Sequence, residues 1–142
     1  MPELNWIDEI EASIEESART QHIPLRKLDE RDAALVKNTG RRRFVDGEPR
    51  VWWLGLSRPI VGQYDRRSVD LNTVLPSNTG SCWLIPENER RPVYEVDASL
   101  VKKLLDECLL FEYNIIARDF DWLVAETGHD MIYVCRSSTP SS

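Results

Sequence analysis

The stretch Phe111-Glu-Tyr-Asn-Ile-Ile-Ala-Arg-Asp-Phe-Asp-Trp-Leu-Val-Ala-Glu-Thr-Gly-His-Asp-Met-Ile-Tyr-Val-Cys135 decides the fold of this chain. It holds three short apolar runs, and two polar turns join them. Side chains of the first run alternate with the two-residue period of a β-strand, so Tyr113 and Ile115 share one face while Asn114 and Ile116 share the other. The pattern predicts three strands that form an antiparallel meander: 111–117, 122–126 and 131–135.

Apolar residues at helical spacing predict helices elsewhere in the chain. Trp6, Ile7, Ile10, Ile14 and Ala18 form one stripe and predict an amphipathic N-terminal helix. Asp97 is a good N-cap for a second helix near 97–109, whose stripe is Leu100, Val101, Leu104, Leu105 and Cys108. Between them, Asp29 is a candidate N-cap for a short helix that Asn38-Thr-Gly40 is expected to end.

The remaining apolar runs are short and bounded by proline or glycine, as is typical of strands. They predict extended segments at Val51–Leu54, Pro59–Gly62, Ser81–Ile85 and Val93–Val96, with a long polar loop over 65–80. Strands bracketed by helices without a regular βαβα alternation indicate an α+β fold with an antiparallel sheet. We expect one domain over 1–136, with the N-terminal and 97–109 helices on one face of the sheet, and a flexible tail over 137–142.

Several functional classes lack their signals in these 142 residues. There is no phosphate-binding loop, no dinucleotide-binding glycine pattern and no zinc-protease motif, and Cys82, Cys108 and Cys135 are odd in number and widely spaced. We therefore expect no cofactor, no metal site and no disulfide. The chain also has no apolar run long enough to cross a membrane and no signal-peptide layout, which predicts a soluble cytoplasmic protein that does not enter a membrane.

The net charge of −6 is unevenly distributed along the chain. Residues 37–67 carry eight basic and three acidic side chains, whereas both flanking regions are acidic. The basic middle, with Trp52 and Trp53, raises the hypothesis of nucleic-acid binding. The acidic remainder and the lack of a known recognition motif argue against that hypothesis, and the acidic total favours basic partners.

Acidic side chains line the outer face of the N-terminal helix, with no basic residue before Arg19. Glu11, Glu15 and Glu16 belong to this face. Carboxylates beyond the first turn repel one another when no basic side chain lies one turn away. The face is either simply solvated or a docking surface for a basic protein.

The turn between the last two predicted strands gathers Glu126, His129 and Asp130. A carboxylate that orients an imidazole can move protons near neutral pH, so a catalytic or binding role is one interpretation. The other interpretation is that Asp130 and Thr127 bond turn amides while His129 packs or caps. No nucleophile is identified, so a binding pocket near Trp53, Glu126 and His129 is the milder form of the functional hypothesis.

The same residues carry a resemblance to a family. Glu112-Tyr113-x-Ile115-Ile116, then Asp121-Trp122-Leu123 and Glu126-x-x-His129-Asp130, resemble small uncharacterised bacterial proteins in which an E-Y-x-[IV]-V strand precedes W-L-x-x-E-N-H-H-D. The chain departs from that pattern at Thr127-Gly128, so no role built on paired histidines carries over. The resemblance covers about 25 residues well. It implies a bacterial cytoplasmic protein of the kind found in variable loci, including neighbours of toxin systems.

The sequence thus leads to two functional hypotheses. The first is a non-enzymatic protein-interaction module, in the form of an immunity-type inhibitor that binds a basic toxin through an acidic surface contributed by the first helix and the C-terminal turns. The second is a small-molecule-binding domain or minor enzyme with its pocket near Trp53, Glu126 and His129. The sequence does not decide the oligomeric state.

Overall fold

The computed structural model describes residues 6–49, 51–56, 60–77, 79–87, 92–108, 111–127 and 130–136. Its strands are β1 (Leu25–Lys27), β2 (Ile60–Asp65), β3 (Ser81–Pro86), β4 (Tyr94–Asp97), β5 (Tyr113–Ala117), β6 (Trp122–Glu126) and β7 (Met131–Arg136). Its helices are α1 (Trp6–Thr20), α2 (Glu30–Phe44), α3 (Leu71–Val74) and α4 (Val101–Asp106). Two 3₁₀ turns, Trp52–Gly55 and Ala98–Leu100, complete the set.

All seven strands join one antiparallel sheet in the order β1-β4-β3-β5-β6-β7-β2. The α+β prediction is confirmed, and so is the C-terminal meander. The β5–β6 turn is tight because Phe120 takes the left-handed conformation at φ 61° while its N–H donates to the carbonyl of Ala117 at 2.8 Å. β2 comes from the middle of the chain and pairs with β7, so β1 and β2 are the two edges of the sheet.

Helices α1 and α4 cover one face of the sheet, as the apolar stripes predict. Ile10 and Ile14 of α1 and Leu104 of α4 are fully buried against Tyr94 and Ile115 of the sheet. Each such side chain contributes roughly 1.5–3 kcal/mol through removal from water. We call this side of the sheet the α1/α4 face.

The opposite side is covered by α2, which makes the fold three-layered and was not predicted. Ala33, Val36 and Phe44 of α2 pack with Ile116, Leu123 and other sheet residues in a second core. Asp29 caps α2 as expected, since its carboxylate accepts the N–H of Asp32 at 2.8 Å. We call this side the α2 face.

The expectation that α2 ends at Asn38-Thr-Gly40 is wrong, because the helix continues to Phe44. Gly40 lies inside the helix at a point of close packing. A Cβ there would be 2.7 Å from Cδ1 of Ile116 and 3.2 Å from the ring of Trp52. The glycine is required by tertiary contact rather than by a helix end.

The predicted strand Val51–Leu54 is also wrong, because residues 52–55 form a 3₁₀ turn. Trp52 is buried on the α2 face, and its N–H donates to Glu87 Oε2 at 3.2 Å, which fixes the turn beyond the end of β3. The amide of Asn114 donates to the same oxygen at 2.9 Å. Because burial outweighs these two hydrogen bonds, the pKa of Glu87 is raised.

Smaller differences concern element bounds. The predicted 65–80 loop contains α3, capped by the Asp70 carboxylate, and β2 extends three residues beyond the expected Gly62 to Asp65. The 97–109 helix is shorter than expected, since a 3₁₀ turn precedes α4 and α4 ends at Asp106. The predicted tail 137–142 lies outside the described residues.

Within the described part of the chain, no helix is both long and apolar enough to cross a membrane. Cys82 and Cys135 are buried and Cys108 is partly buried, and none of these three described residues takes part in a disulfide. Burial raises the pKa of Cys82 to about 12, with the carboxylates of Asp97 and Glu95 adding to it, and burial raises the pKa of Cys135 to about 11. The three thiols therefore behave as small apolar side chains rather than as nucleophiles.

Candidate functional site

The C-terminal turn places Glu126 inside the protein, on the α1/α4 face. Glu126 ends β6 directly opposite Tyr113 of β5, and only 8% of its surface is exposed. The hydroxyl of Tyr113 donates to Glu126 Oε1 at 2.9 Å. Burial raises the pKa of the Glu126 carboxyl, although the Tyr113 hydrogen bond and the charge of Arg66 act in the opposite direction.

Arg66 joins this pair from the end of β2. Its backbone N–H donates to the carbonyl of Asp130 at 2.9 Å, and its Nη2 donates to Asp130 Oδ1 at 3.1 Å. Its Nε lies 3.5 Å from Glu126 Oε2 without the geometry of a hydrogen bond, and it is buried with no hydrogen-bond partner. The arrangement is an ionic network, Tyr113–Glu126–Arg66–Asp130, that ties the end of β2 to the β6–β7 turn.

A cavity of about 140 Å³ lies beside the network, between α4 and the ends of β5, β6 and β7. Its polar lining is Arg66, Tyr113 and Glu126, with the Lys102–Asp106 ion pair of α4 alongside. Its apolar lining is Val69, Leu71, Leu105, Phe111 and Ile132. None of these lining residues carries a thiol or an imidazole, so the described walls support binding better than nucleophilic or general-base chemistry through histidine.

Trp53 lies on the other side of the sheet. Its ring packs against Tyr133 on the α2 face with centroids 6.4 Å apart, and its Nε1 donates to Glu112 Oε1 at 3.3 Å. Trp53 and Glu126 are therefore separated by the sheet and do not line one pocket. His129, the third residue of that hypothesis, lies outside the described residues.

The acidic residues of α1 have basic partners that the local sequence does not reveal. Nζ of Lys27, on β1, is 3.2 Å from Glu15 Oε2 and 3.9 Å from Glu11 Oε2. Glu15 also accepts from the hydroxyl of buried Tyr94 at 3.0 Å. Glu16 pairs with Arg19 and keeps more than half of its side chain exposed. The acidic face of α1 is thus partly neutralised, and Glu11 and Glu15 have structural partners.

The arginines of residues 41–67 do not face one way. Arg41, Arg42 and Arg43 end α2, which covers the α2 face, whereas Arg66 lines the cavity on the α1/α4 face. Arg67 pairs with Asp65 at 3.5 Å. The described arginines therefore lie on both sides of the sheet, whereas a nucleic-acid surface needs them side by side.

The sequence predicted an extended segment at Pro59–Gly62 but not its place at the edge of the sheet, as β2. Ile60, Val61 and Tyr64 are exposed by 46%, 58% and 37%, and β7 lies on one side only. No other strand of the described residues pairs with its outer side. Exposed Leu54 belongs to the 3₁₀ turn whose Trp53 packs on Tyr133, the β7 partner of Gln63.

The register shows which backbone groups of β2 point outward. The N–H of Arg66 bonds the carbonyl of Asp130, so the alternate pairs Tyr64↔Ile132 and Gly62↔Val134 are also the hydrogen-bonded ones. Gln63 and Asp65 consequently direct their backbone groups away from β7. The carbonyl of Asp65 accepts from the N–H of Ser68, which leaves both groups of Gln63 and the N–H of Asp65 facing outward.

A comparison of this chain with protein-family models, with curated proteins and with solved structures found no match. The function therefore has to be argued from the geometry of the two places just described, the β2 edge and the cavity.

Proposed function

We propose that this protein is a non-enzymatic protein-interaction module that accepts a strand of its partner along the outer edge of β2. The partner is a basic protein, and the biological role is that of an immunity-type inhibitor of a basic toxin. The observation that carries the proposal is the β2 edge, which combines outward backbone groups with exposed Ile60, Val61 and Tyr64.

An exposed apolar edge strand promotes unwanted association unless a specific partner binds it. Unpaired strand edges are templates for association, and proteins usually shorten them, charge them or cover them. β2 is six residues long and has apolar side chains exposed on both of its faces, with a bulge near Val61 as its one visible irregularity. Strand addition satisfies such an edge, because main-chain hydrogen bonds supply affinity and alternate side chains supply specificity.

The basic character of the partner rests on charge. The chain carries −6 in total, and Asp65 is a partly exposed carboxylate of β2 itself. Complementary charge mainly raises the association rate and suppresses wrong partners. It follows that the association rate falls as ionic strength rises.

The decisive test uses two substitutions at one position. Gln63→Pro removes an outward N–H and blocks the approach of a strand, while the N–H groups of Gly62 and Tyr64 that bond β7 remain. Gln63→Ala keeps the backbone donor and serves as the matched control. A photo-crosslinking amino acid in place of Val61 identifies the partner in the native host, and the purified pair is then measured by calorimetry at several salt concentrations.

We expect the Gln63→Ala protein to bind the identified partner as the parent does, and the Gln63→Pro protein to lose about tenfold or more in affinity. Equal binding by the two variants, or a crosslink only to a second copy of this chain, would overturn the proposal. A partner that is acidic, or an association rate insensitive to salt, would overturn its charge component. Measurement of the toxin's activity with and without this protein tests the inhibitory role.

A further inference from the structure

The second place that the structure singles out is the cavity beside Arg66, Tyr113 and Glu126. We infer that it binds a small neutral molecule whose polar head, a hydroxyl or a carboxamide, both accepts and donates a hydrogen bond and whose body is apolar. This inference is independent of the β2 edge and goes beyond the proposed function.

The polar head follows from a buried donor without an acceptor, Arg66 Nε, and from the carboxylate oxygen beside it, Glu126 Oε2. Arg66 Nε is buried and has no hydrogen-bond acceptor, and Glu126 Oε2 lies 3.5 Å from it without a hydrogen bond between them. A buried donor without a partner costs about 1–3 kcal/mol. One hydroxyl can accept from Nε–H and donate to Oε2, and a carboxamide can do the same with its oxygen and its nitrogen.

The neutrality of the ligand follows from the balance of charges around it. Arg66 faces Glu126, and Lys102 of α4 pairs with Asp106, so the charged groups of the lining cancel in pairs. Asp130 bonds the guanidinium of Arg66 and is about half exposed. A ligand with a net charge would find no unpaired counter-ion among these lining residues, and placing its charge against the apolar wall would be unfavourable.

The size and the apolar body follow from the rest of the lining. A volume of about 140 Å³ is close to that of an engineered apolar cavity that accepts benzene, so the ligand has about six heavy atoms. Leu105, Phe111 and Ile132 supply apolar wall on α4, β5 and β7. The head would bond Arg66 and Glu126 while the body lies against these side chains.

The test is a titration of the full chain, labelled with ¹⁵N, followed by nuclear magnetic resonance. The probes share one four-carbon body and differ in the head: 1-butanol, butanamide, butanoate and butylammonium. We expect the two neutral probes to cause saturable shifts at Leu105, Phe111 and Ile132, with dissociation constants about tenfold lower than those of the charged probes. Intermolecular contacts between the probe and the methyl groups of Leu105 and Ile132 then place it in the cavity.

A phenylalanine introduced at two positions provides the control. Val69→Phe places a ring in the cavity without replacing a member of the ionic network, and Leu35→Phe adds the same ring to the exposed surface of α2. The first is expected to abolish saturable binding and the second to preserve it. Absence of saturation with every probe, equal affinity for neutral and charged heads, or contacts outside the cavity overturns the inference. If the Val69→Phe protein does not fold, the intermolecular contacts decide alone.

Discussion

The two edge strands of the sheet, β1 and β2, differ in length and in the side chains that they expose. β1 is three residues long, and its Arg26 and Lys27 pair with Glu95 and with Glu11 and Glu15. β2 is six residues long and exposes Ile60, Val61 and Tyr64. A short, charged edge resists the addition of another strand, whereas a long apolar edge invites it. The difference distinguishes a closed edge from an open one, and the open edge is the one that we propose binds a partner.

The carboxylates near the two edges differ as well. Near β1, hydrogen bonds from Arg26 and Ser81 lower the pKa of Glu95 against a smaller effect of burial. At the end of β6, beside Arg66 that follows β2, burial raises the pKa of Glu126. Ionisation therefore stabilises the fold at one edge and costs free energy at the other, so the two edges respond to pH in opposite directions.

The largest expected effect on stability distinguishes the side of β2 that bonds β7 from the side that faces outward. Tyr64→Pro removes an N–H that bonds β7 and leaves the facing carbonyl unpaired, so we expect the free energy of unfolding to fall by about 1–3 kcal/mol. Gln63→Pro removes an N–H that faces outward and should cost less than half as much. Urea denaturation followed by circular dichroism measures both. Equal losses would show that the outward direction of the Gln63 groups is wrong.

The strands of the C-terminal meander and the caps at Asp29 and Asp97 were predictable because their signals are local. The alternation of Tyr113 and Ile115 with Asn114 and Ile116 is visible within four residues. The carboxylates of Asp29 and Asp97 cap by accepting backbone N–H groups only two or three residues further along the chain. Both faces of β5 are buried. Ile115 and Ile116 point to opposite faces, which is compatible with burial on both sides but does not by itself predict it.

The misplaced elements depend on contacts that the local sequence does not contain. A glycine at position 40 is compatible both with the end of a helix and with close packing inside one, so the local sequence cannot reveal that Ile116 and Trp52 pack against it. Arg66 meets Glu126 only because β2 pairs with β7, across sixty positions of the chain. For the same reason, the sequence pointed to Glu126 as a candidate but not to Arg66 and Tyr113, its partners in the network.

The next effect concerns the closed edge. Glu95→Gln weakens contacts with Arg26, Ser81 and Arg118, and we expect a loss of about 0.5–1 kcal/mol at neutral pH because both arginines are largely exposed. A lowered pKa gives stability that is present above the unfolded-state pKa and lost as pH falls through the folded-state pKa. The penalty of the substitution should therefore shrink below about pH 4.5. A penalty that stays constant from pH 7 to pH 3 would contradict this origin.

The third effect is a change in how the free energy of unfolding depends on pH, rather than a change in its value at one pH. Because the pKa of Glu126 is raised, its contribution to stability is present below the unfolded-state pKa and is lost as pH rises through the folded-state pKa. Relative to the Glu126→Gln protein, the parent should therefore lose stability as pH rises from 4 towards neutrality. Denaturation curves at matched pH values measure the difference between the two proteins. The absence of a slope would mean that Tyr113 and Arg66 balance the effect of burial on the pKa of Glu126, and the opposite slope would mean that they outweigh it.

The smallest effect on stability tests the open edge most directly. Val61→Lys gives β2 a charged side chain of the kind that keeps further strands from pairing with β1. Because Val61 is 58% exposed, we expect the free energy of unfolding to change by less than about 0.5 kcal/mol. Leu35→Lys on α2 is the matched control, since Leu35 is 63% exposed and belongs to a helix. Only the β2 substitution should weaken partner binding, because it places a solvated ammonium where strand addition would bury it. Partner affinity that falls equally in both variants would assign the effect to surface charge rather than to the edge strand.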